Sequence, residues 1–573
     1  MSGQFDLVIR GGTIVDGTGE EPFVGDVAVR DAKIVAVGTV DGTGREERDA
    51  TGLIVTPGFV DVHTHYDGQA IWSDRLNPSS AHGVTTAMIG NCGVGFAPCR
   101  QEDHDVLIEM MEGVEDIPGA VMAEGLDWTW ETFPQFLDAL ESRYRDIDVV
   151  ALLPHSPLRV YAMGERGAQR EPATEADLAR MAELAAEAAR AGAMGISTSR
   201  TQIHRTVGGE LIPSYEADYA ELEHILRAMN EAGAGPKMLQ AVPGDAEPDD
   251  VGPFSDILSL VERVGAPATF TMGFGNAATP RWFKAKEMID RANAQGTPVT
   301  AQVHPKPVGM IIGLDMTTHP FSQKPAYREI AHLPLAERLA EMRKPERKRK
   351  ILSDPFESAI PLHVMGRAFD RMFPMQEPPV YEPDPDDSVA AEARRRGVSP
   401  EETIYDMLTE GDGTRMFLVA LANFPDKSLD AVGYAMKLDH IVPGLGDGGA
   451  HYGMICDAAY PTFMLQHWVR DRNGDRLTLA RAVYLLAGAS ADALGLTDRG
   501  RLQVGKKADI NVIDLESLAL HAPLVVRDLP AGGSRLNQLA DGYVATYVAG
   551  QCIARNGKAT EARPGRLVRA GAG

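Results

Sequence analysis

Two histidines one residue apart carry the strongest chemical signal in the chain. They lie in Thr56-Pro57-Gly58-Phe59-Val60-Asp61-Val62-His63-Thr64-His65-Tyr66-Asp67. An apolar run, Leu53 to Val55, passes a Pro-Gly break, and a short strand Phe59–Val62 then delivers the pair. Residues i and i+2 of a strand share a face, so His63 and His65 aim at one point while Thr64 turns away. Two imidazoles at a strand end can take two corners of a metal's coordination sphere; a purely structural pair is the plain alternative. Cys92 follows a second strand in Ile89-Gly90-Asn91-Cys92-Gly93. A lone cysteine is more often packing, but this one sits between glycines at a strand end. Ser197-Thr198-Ser199-Arg200-Thr201-Gln202-Ile203-His204-Arg205 offers two arginines placed for a carboxylate, which guanidinium grips with paired donors. Asp447 lies among glycines in Gly444-Leu445-Gly446-Asp447-Gly448-Gly449-Ala450-His451, where aspartate usually forms turns.

These residues need strand ends to hold them, and the chain has the length for it. At 573 residues it exceeds one ordinary domain and can bury a large core. An apolar fraction of 44% with 24% charged residues reads as soluble and globular. A net charge of −25 argues against nucleic acid and anionic membrane as main partners and says little else; the expected partner is a small-molecule substrate, with a homo-oligomer left open. No apolar run spans a bilayer, and the start, MSGQFDLVIRGG, lacks the regions of a signal peptide, so a cytoplasmic location is expected. Cys92, Cys99, Cys456 and Cys552 make no disulfide framework.

Residues 1 to 55 read as small hairpins: Leu7–Ile9 and Thr13–Val15 around Gly11-Gly12, then Val27–Val29 and Ile34–Val37 around Asp31. From Phe59, strand-like runs alternate with helical patterns, which favours βα units and a parallel sheet. Thr85–Ile89, Val149–Leu153, Met194–Ser197, Lys237–Leu239, Ala268–Thr271, Val299–Val303 and Ile441–Leu445 join Phe59–Val62 as the strands. The clearest helix runs from Thr174 to Arg190, with Thr174 and Asp177 as a capping box and Gly192 past its end. Between Pro305 and Asp439 lies a stretch too long for a plain loop. It holds the basic run Arg343–Lys350, expected to be a solvated helix face, and is expected to form a lid over the substrate pocket.

The string PGFVDVHTHYD resembles the metal-binding signature of the amidohydrolase superfamily, and VTTAMIGNCGVGFAP resembles its N-acyl-D-amino-acid deacylase (D-aminoacylase) branch. GRLQVGKKADINVIDL and DGYVATYVAGQCIARNG resemble the C-terminal half of the β-sandwich that flanks such barrels. The resemblance implies an α/β fold: a (β/α)8 TIM-like barrel over 56–496, interrupted at about 308–438 between strands 7 and 8, with a small β-sandwich built from 1–55 and 497–573. It implies zinc held by His63, His65, Cys92 and Asp447, with Asp447 also taking the proton of the attacking water. His155 matches a histidine after the third strand, a substrate contact or a satisfied structural histidine. His451 orients the leaving group or caps its loop. Lys306 is the reserve cation for a substrate carboxylate, after Arg200 and Arg205.

The family's histidines after strands 5 and 6 are missing: the chain reads Met238-Leu239-Gln240-Ala241 and Thr271-Met272-Gly273-Phe274 there. His304 is the nearest spare imidazole. One zinc per chain is therefore expected, a second ion remaining open. The expected activity is hydrolysis of a C–N amide bond, first of an N-acyl (D-)amino acid. A cyclic amide such as a hydantoin or lactam is the alternative substrate, and a non-catalytic assembly protein the alternative class.

Overall fold

The computed structural model describes residues 5–245, 250–275, 280–358 and 360–571. The chain opens with β1 (Phe5–Ile14), β2 (Phe23–Arg30), β3 (Lys33–Gly38), β4 (Gly44–Asp49) and β5 (Ile54–Pro57). The expected hairpin around Asp31 forms, with Asp31 and Ala32 both at positive φ (49° and 63°). The hairpin expected at Gly11-Gly12 does not. That stretch is one continuous strand, and Gly11 (φ 63°) marks a slip in its pairing with β2, its amide donating to Asp26 Oδ1 at 2.8 Å. A single left-handed glycine makes a bulge; reversing the chain there would have needed a full turn.

Then come β6 (Phe59–Asp61), β7 (Val84–Ile89), β8 (Asp148–Ala151), β9 (Leu153–Pro154), β10 (Gly195–Ser199), β11 (Met238–Val242), β12 (Ala268–Thr271) and β13 (Val299–Val303). An antiparallel trio follows, β14 (Val308–Ile312), β15 (Met372–Pro374) and β16 (Phe417–Ala422), before β17 (Ile441–Pro443) and β18 (Ile510–Ile513). Parallel pairing runs through β6-β7-β8 and through β9-β10-β11-β12-β13-β17. Every expected strand overlaps one of these. Their near-continuous burial is what strands covered on both faces require.

The ladders form two arcs and no closed ring among the described residues. Beyond the ends of β6 and β17, Asp447 N donates to His63 O at 3.2 Å and His65 N to Gly448 O at 2.8 Å. The helix Glu175–Ala191 has the expected capping box between Thr174 and Asp177, and Gly192 closes it at φ 105°.

Strands from both chain ends share one nine-stranded sheet: Lys558–Ala559, Gln551–Arg555, Tyr543–Val548, β18, β5, β1, β2 and β3 in order, with β4 on β1. Leu7 and Ile9 pack into one apolar cluster and Val8 into another, as the alternation of a strand dictates. The trio β14-β16-β15 has its own core, including Met310, Ile312, Leu339, Ile351, Ile404, Tyr405 and Phe417. The basic run lies on and beside the helix Pro345–Ser353, where Arg347 and Lys350 pair with Glu329 and Lys348 with Glu402 and Asp406. It is a solvated, internally paired face. No helix among the described residues is long and apolar enough to cross a membrane.

Candidate metal centre

His63 and His65 follow β6 in a fully buried stretch, their ring centroids 5.4 Å apart and their planes at 66°. His63 Nε2 lies 3.2 Å from Cys92 Sγ and 3.5 Å from Asp447 Oδ1; His65 Nε2 lies 3.8 Å from the same oxygen. One ligand atom each from His63, His65 and Cys92 sit within 4.8 Å of one another. Two imidazoles and a thiol, with a carboxylate beside them, fit a metal ion of zinc's preference.

The backbone is bent to achieve this. Cys92, Asp447 and His451 all adopt positive φ (59°, 46° and 50°). Such conformations cost a non-glycine residue about 1–3 kcal/mol and persist where surroundings over-determine them. Around Cys92 the restraints are visible: its amide donates to Gln240 Oε1 at 2.9 Å, and Asn91 Nδ2 donates to Thr64 O at 3.0 Å and Met88 O at 2.9 Å.

Behind each histidine stands a further group. His63 Nδ1 is 2.6 Å from Gln302 Oε1, and Gln302 Nε2 donates to Thr269 Oγ1 at 3.1 Å. His65 Nδ1 lies 3.3 Å from Glu115 Oε1, and the other oxygen of Glu115 is 3.5 Å from His451 Nε2.

The electrostatics are one-sided. Burial pushes the Glu115 and Asp447 carboxyls well above the usual carboxylate range, each reinforced by neighbouring acids. Burial also lifts Asp61 and Asp67 to about 7. The Cys92 thiol is pushed well above its ordinary value by burial, then by Glu115, Asp447 and Asp67. Burial moves His63 down to about 4 and His65 well below its normal value, and His204 is brought to about 3 by burial, His451 and His63. With side chains alone, burial biases the acids toward their protonated forms and the imidazoles toward their neutral ones. A cation at their centre would reverse the bias on every carboxylate and on the thiol at once.

The remaining sequence candidates have other partners. His155 is held between Thr198 Oγ1 (3.0 Å) and Glu221 Oε1 (2.7 Å), with Arg159 completing a buried network on Glu221. Arg200 stacks on Tyr219, 4.1 Å from its ring centre, and donates to Ala217 O. Arg205 donates to Gln202 O and Gly209 O of its own loop, both at 2.9 Å. Lys306 binds Asp457 at 2.8 Å and lies 4.1 Å from the Tyr381 ring centre. His304 sits 3.0 Å from Gly444 O and 3.4 Å from Asp457. Burial raises the Asp457 carboxyl, but Lys306 and His304 outweigh it and hold it well below the usual range. His451 reaches the centre through Glu115.

Glu115, Gln302 and His204 were not singled out from sequence. Glu115 did leave a trace: it ends the helix His104–Glu115, where an acid opposes the helix dipole.

Comparison with known proteins shows the family. The model of the "Amidohydrolase family" matches residues 46–554. The N-acyl-D-glutamate deacylase of Alcaligenes xylosoxydans xylosoxydans is 27% identical over 578 residues, covering 99% of this chain and 97% of the relative. The D-aminoacylase of the same organism is 31% identical over 230 residues, 40% of this chain and 43% of its own. The solved N-acyl-D-glutamate deacylase from Bordetella bronchiseptica, complexed with zinc and a phosphonate inhibitor, shares the fold: TM-score 0.66 at 24% identity, over 99% of this chain and 100% of that one. The chain thus belongs to the amidohydrolase family, and it is a hydrolase acting on C–N amide bonds.

Proposed function

We propose that the chain hydrolyses the amide of N-acyl amino acids, with a preference for the D configuration, using one zinc ion held by His63, His65, Cys92 and Asp447. One observation carries this: three ligand atoms within 4.8 Å of one another, with the Asp447 carboxylate 3.5 and 3.8 Å from the two imidazoles. When bound, the ion lowers the pKa of water and polarises a carbonyl. Asp447, drawn into its ionised form, accepts the water's proton and delivers it to the departing amine. Buried His63 and His65 remain neutral and keep a lone pair for coordination. The relatives' names, deacylases of N-acyl-D-amino acids, support the substrate class.

Single occupancy is supported by what replaces the fifth- and sixth-strand histidines. Gln240 Oε1 is engaged by the Cys92 amide, and Met272 is buried apolar surface. The reading extends to the fold, where the two parallel arcs together are one (β/α)8 barrel, the sheet from 1–55 and 497–573 is its β-sandwich companion, and 308–438 is a lid. Turnover of a panel of N-acyl-D-amino acids, their L isomers and cyclic amides by zinc-loaded protein tests the activity. Cleavage confined to hydantoins or lactams would sink the acyl-amino-acid assignment, and two tightly held zinc ions per chain would sink the single site.

A further inference from the structure

The helix His104–Glu115 belongs to none of the strands that carry the proposed ligands, yet its last turn meets three segments at the centre. Gly113 lies so close to Thr206 and Val207 that a Cβ would fall 2.1 Å from the Thr206 carbonyl carbon. Val207 N donates to Glu109 O at 3.1 Å, so the helix supports the loop bearing His204. Next to it, Asp116 turns left-handed (φ 49°), and its carboxylate accepts from Thr317 Oγ1 at 3.0 Å and from Gly453 N at 3.1 Å. Between these ties stands Glu115, about as buried as a side chain can be (1% exposed). The backbone amide of His451 donates to its carbonyl. Its carboxylate reaches His65 Nδ1 on one side (3.3 Å) and His451 Nε2 on the other (3.5 Å). Among the described residues neither His65 Nδ1 nor Glu115 Oε2 completes a hydrogen bond, so both contacts are close approaches of buried polar atoms.

A buried carboxyl whose ion-pair neighbours among the described residues are histidines, with no arginine or lysine, carries a desolvation cost that arginine or lysine would have offset. A neutral imidazole carries one N–H, and the acceptor it faces decides which nitrogen keeps the lone pair. We propose that Glu115 is a positioning residue: it holds the proton of His65 on Nδ1, so that Nε2 presents its lone pair to the metal centre, and it holds His451 by Nε2, so that Nδ1 faces the substrate space. Among the described residues His451 Nδ1 is buried and unpartnered, on a side chain that is 20% exposed as a whole. Gln302 does the same service for His63 with a neutral amide. This inference rests on the proposed metal site.

The test compares Glu115→Met, of similar shape but without an acceptor, with Glu115→Gln, which keeps one. Zinc affinity is measured by competition with a chelator, and thermal stability on chelated protein. Glu115→Met should weaken zinc binding about 10–100-fold, while the chelated protein melts at a higher temperature because a costly buried carboxyl is gone. Glu115→Gln should recover most of the affinity. A merely structural Glu115 would move both readings in the same direction. Zinc held by Glu115→Met as tightly as by the parent, with Cys92→Ala losing it, overturns the role of Glu115 and leaves the metal site standing. Zinc retained by Cys92→Ala as well overturns the metal site on which the inference rests.

Discussion

Two buried ionic clusters lie at opposite ends of the parallel strands, and they are built on opposite rules. At the N-terminal end, Asp148 opens β8 and takes Arg499 at 2.5 Å and Lys507 at 2.7 Å, while Lys507 also binds Asp509 at 2.9 Å. Arg499 also grips Asp498 at 2.8 Å, so each acid of the cluster has a base within the chain. Burial alone would raise the Asp148 carboxyl, but Lys507 and Arg499 pull it below the usual range. At the other end, Asp61, Asp67, Glu115 and Asp447 gather around imidazoles that burial keeps neutral, and all four carboxyls are pushed up. The first cluster is a clasp between β8 and the C-terminal segment. The second has a deficit of positive charge that a divalent cation would fill, which is why the two should respond so differently to the same kinds of perturbation.

The largest effect is expected at the metal centre. Asp447→Asn should keep the fold and most of the zinc, yet lower turnover by about two to four decades, the range for losing a positioned base. Near-normal turnover with an unchanged acidic limb of the pH–rate profile would assign the base elsewhere. Cys92→Ala or His63→Ala should lose zinc and activity together with little change in the far-ultraviolet circular dichroism spectrum. Elemental analysis of protein purified without added metal checks this, and activity persisting in a zinc-free variant would refute the site.

At the clasp the expected outcome is reversed. Arg499→Met leaves Asp148 short of a buried partner and should cost about 3–5 kcal/mol of stability, read by denaturant unfolding, while zinc content stays at the parent level. If the variant instead lost zinc at unchanged stability, the two clusters would not be separable.

The smallest expected effect concerns acid. Asp148 titrates below its unfolded value when folded, so its contribution is present above the unfolded carboxylate pKa of about 4 and is lost as pH falls through the folded value. Chelated parent protein should therefore unfold more readily as pH drops below about 4, and Arg499→Met should shift that acid transition to higher pH. An acid transition at the same pH in both proteins would mean that Asp148 does not govern it.

The sequence made some of this legible and hid the rest for physical reasons. His63, His65, Cys92 and Asp447 stand at strand ends, so period-two geometry and the glycines around them announce their direction. The helix Glu175–Ala191 was readable to its caps because capping is local chemistry. Glu115 was hidden because its partners, His65 and His451, come from distant segments, and an acid in an amphipathic helix ordinarily faces water. Arg205 and Lys306 were natural candidates for a carboxylate clamp, since their types suit it. Only the structure shows their donors directed at Gln202 O, Gly209 O and Asp457. The turn at Gly11-Gly12 was misread because two glycines permit a reversal without compelling one.

The pairing of β5 with β18, Val55 opposite Val512, has a consequence for synthesis. As the chain leaves the ribosome, β5 emerges early and its hydrogen-bonding edge toward β18 stays open until after all the strands of the two parallel arcs have been made. Asp148 likewise waits for Arg499 and Lys507. Completion of the fold is thus deferred until Ile510–Ile513 has been made, and until then the nascent chain carries an exposed strand edge of the kind that invites pairing with other chains. Ribosome-bound chains halted before Ile510 should be held by general chaperones far longer than chains released a few dozen residues later.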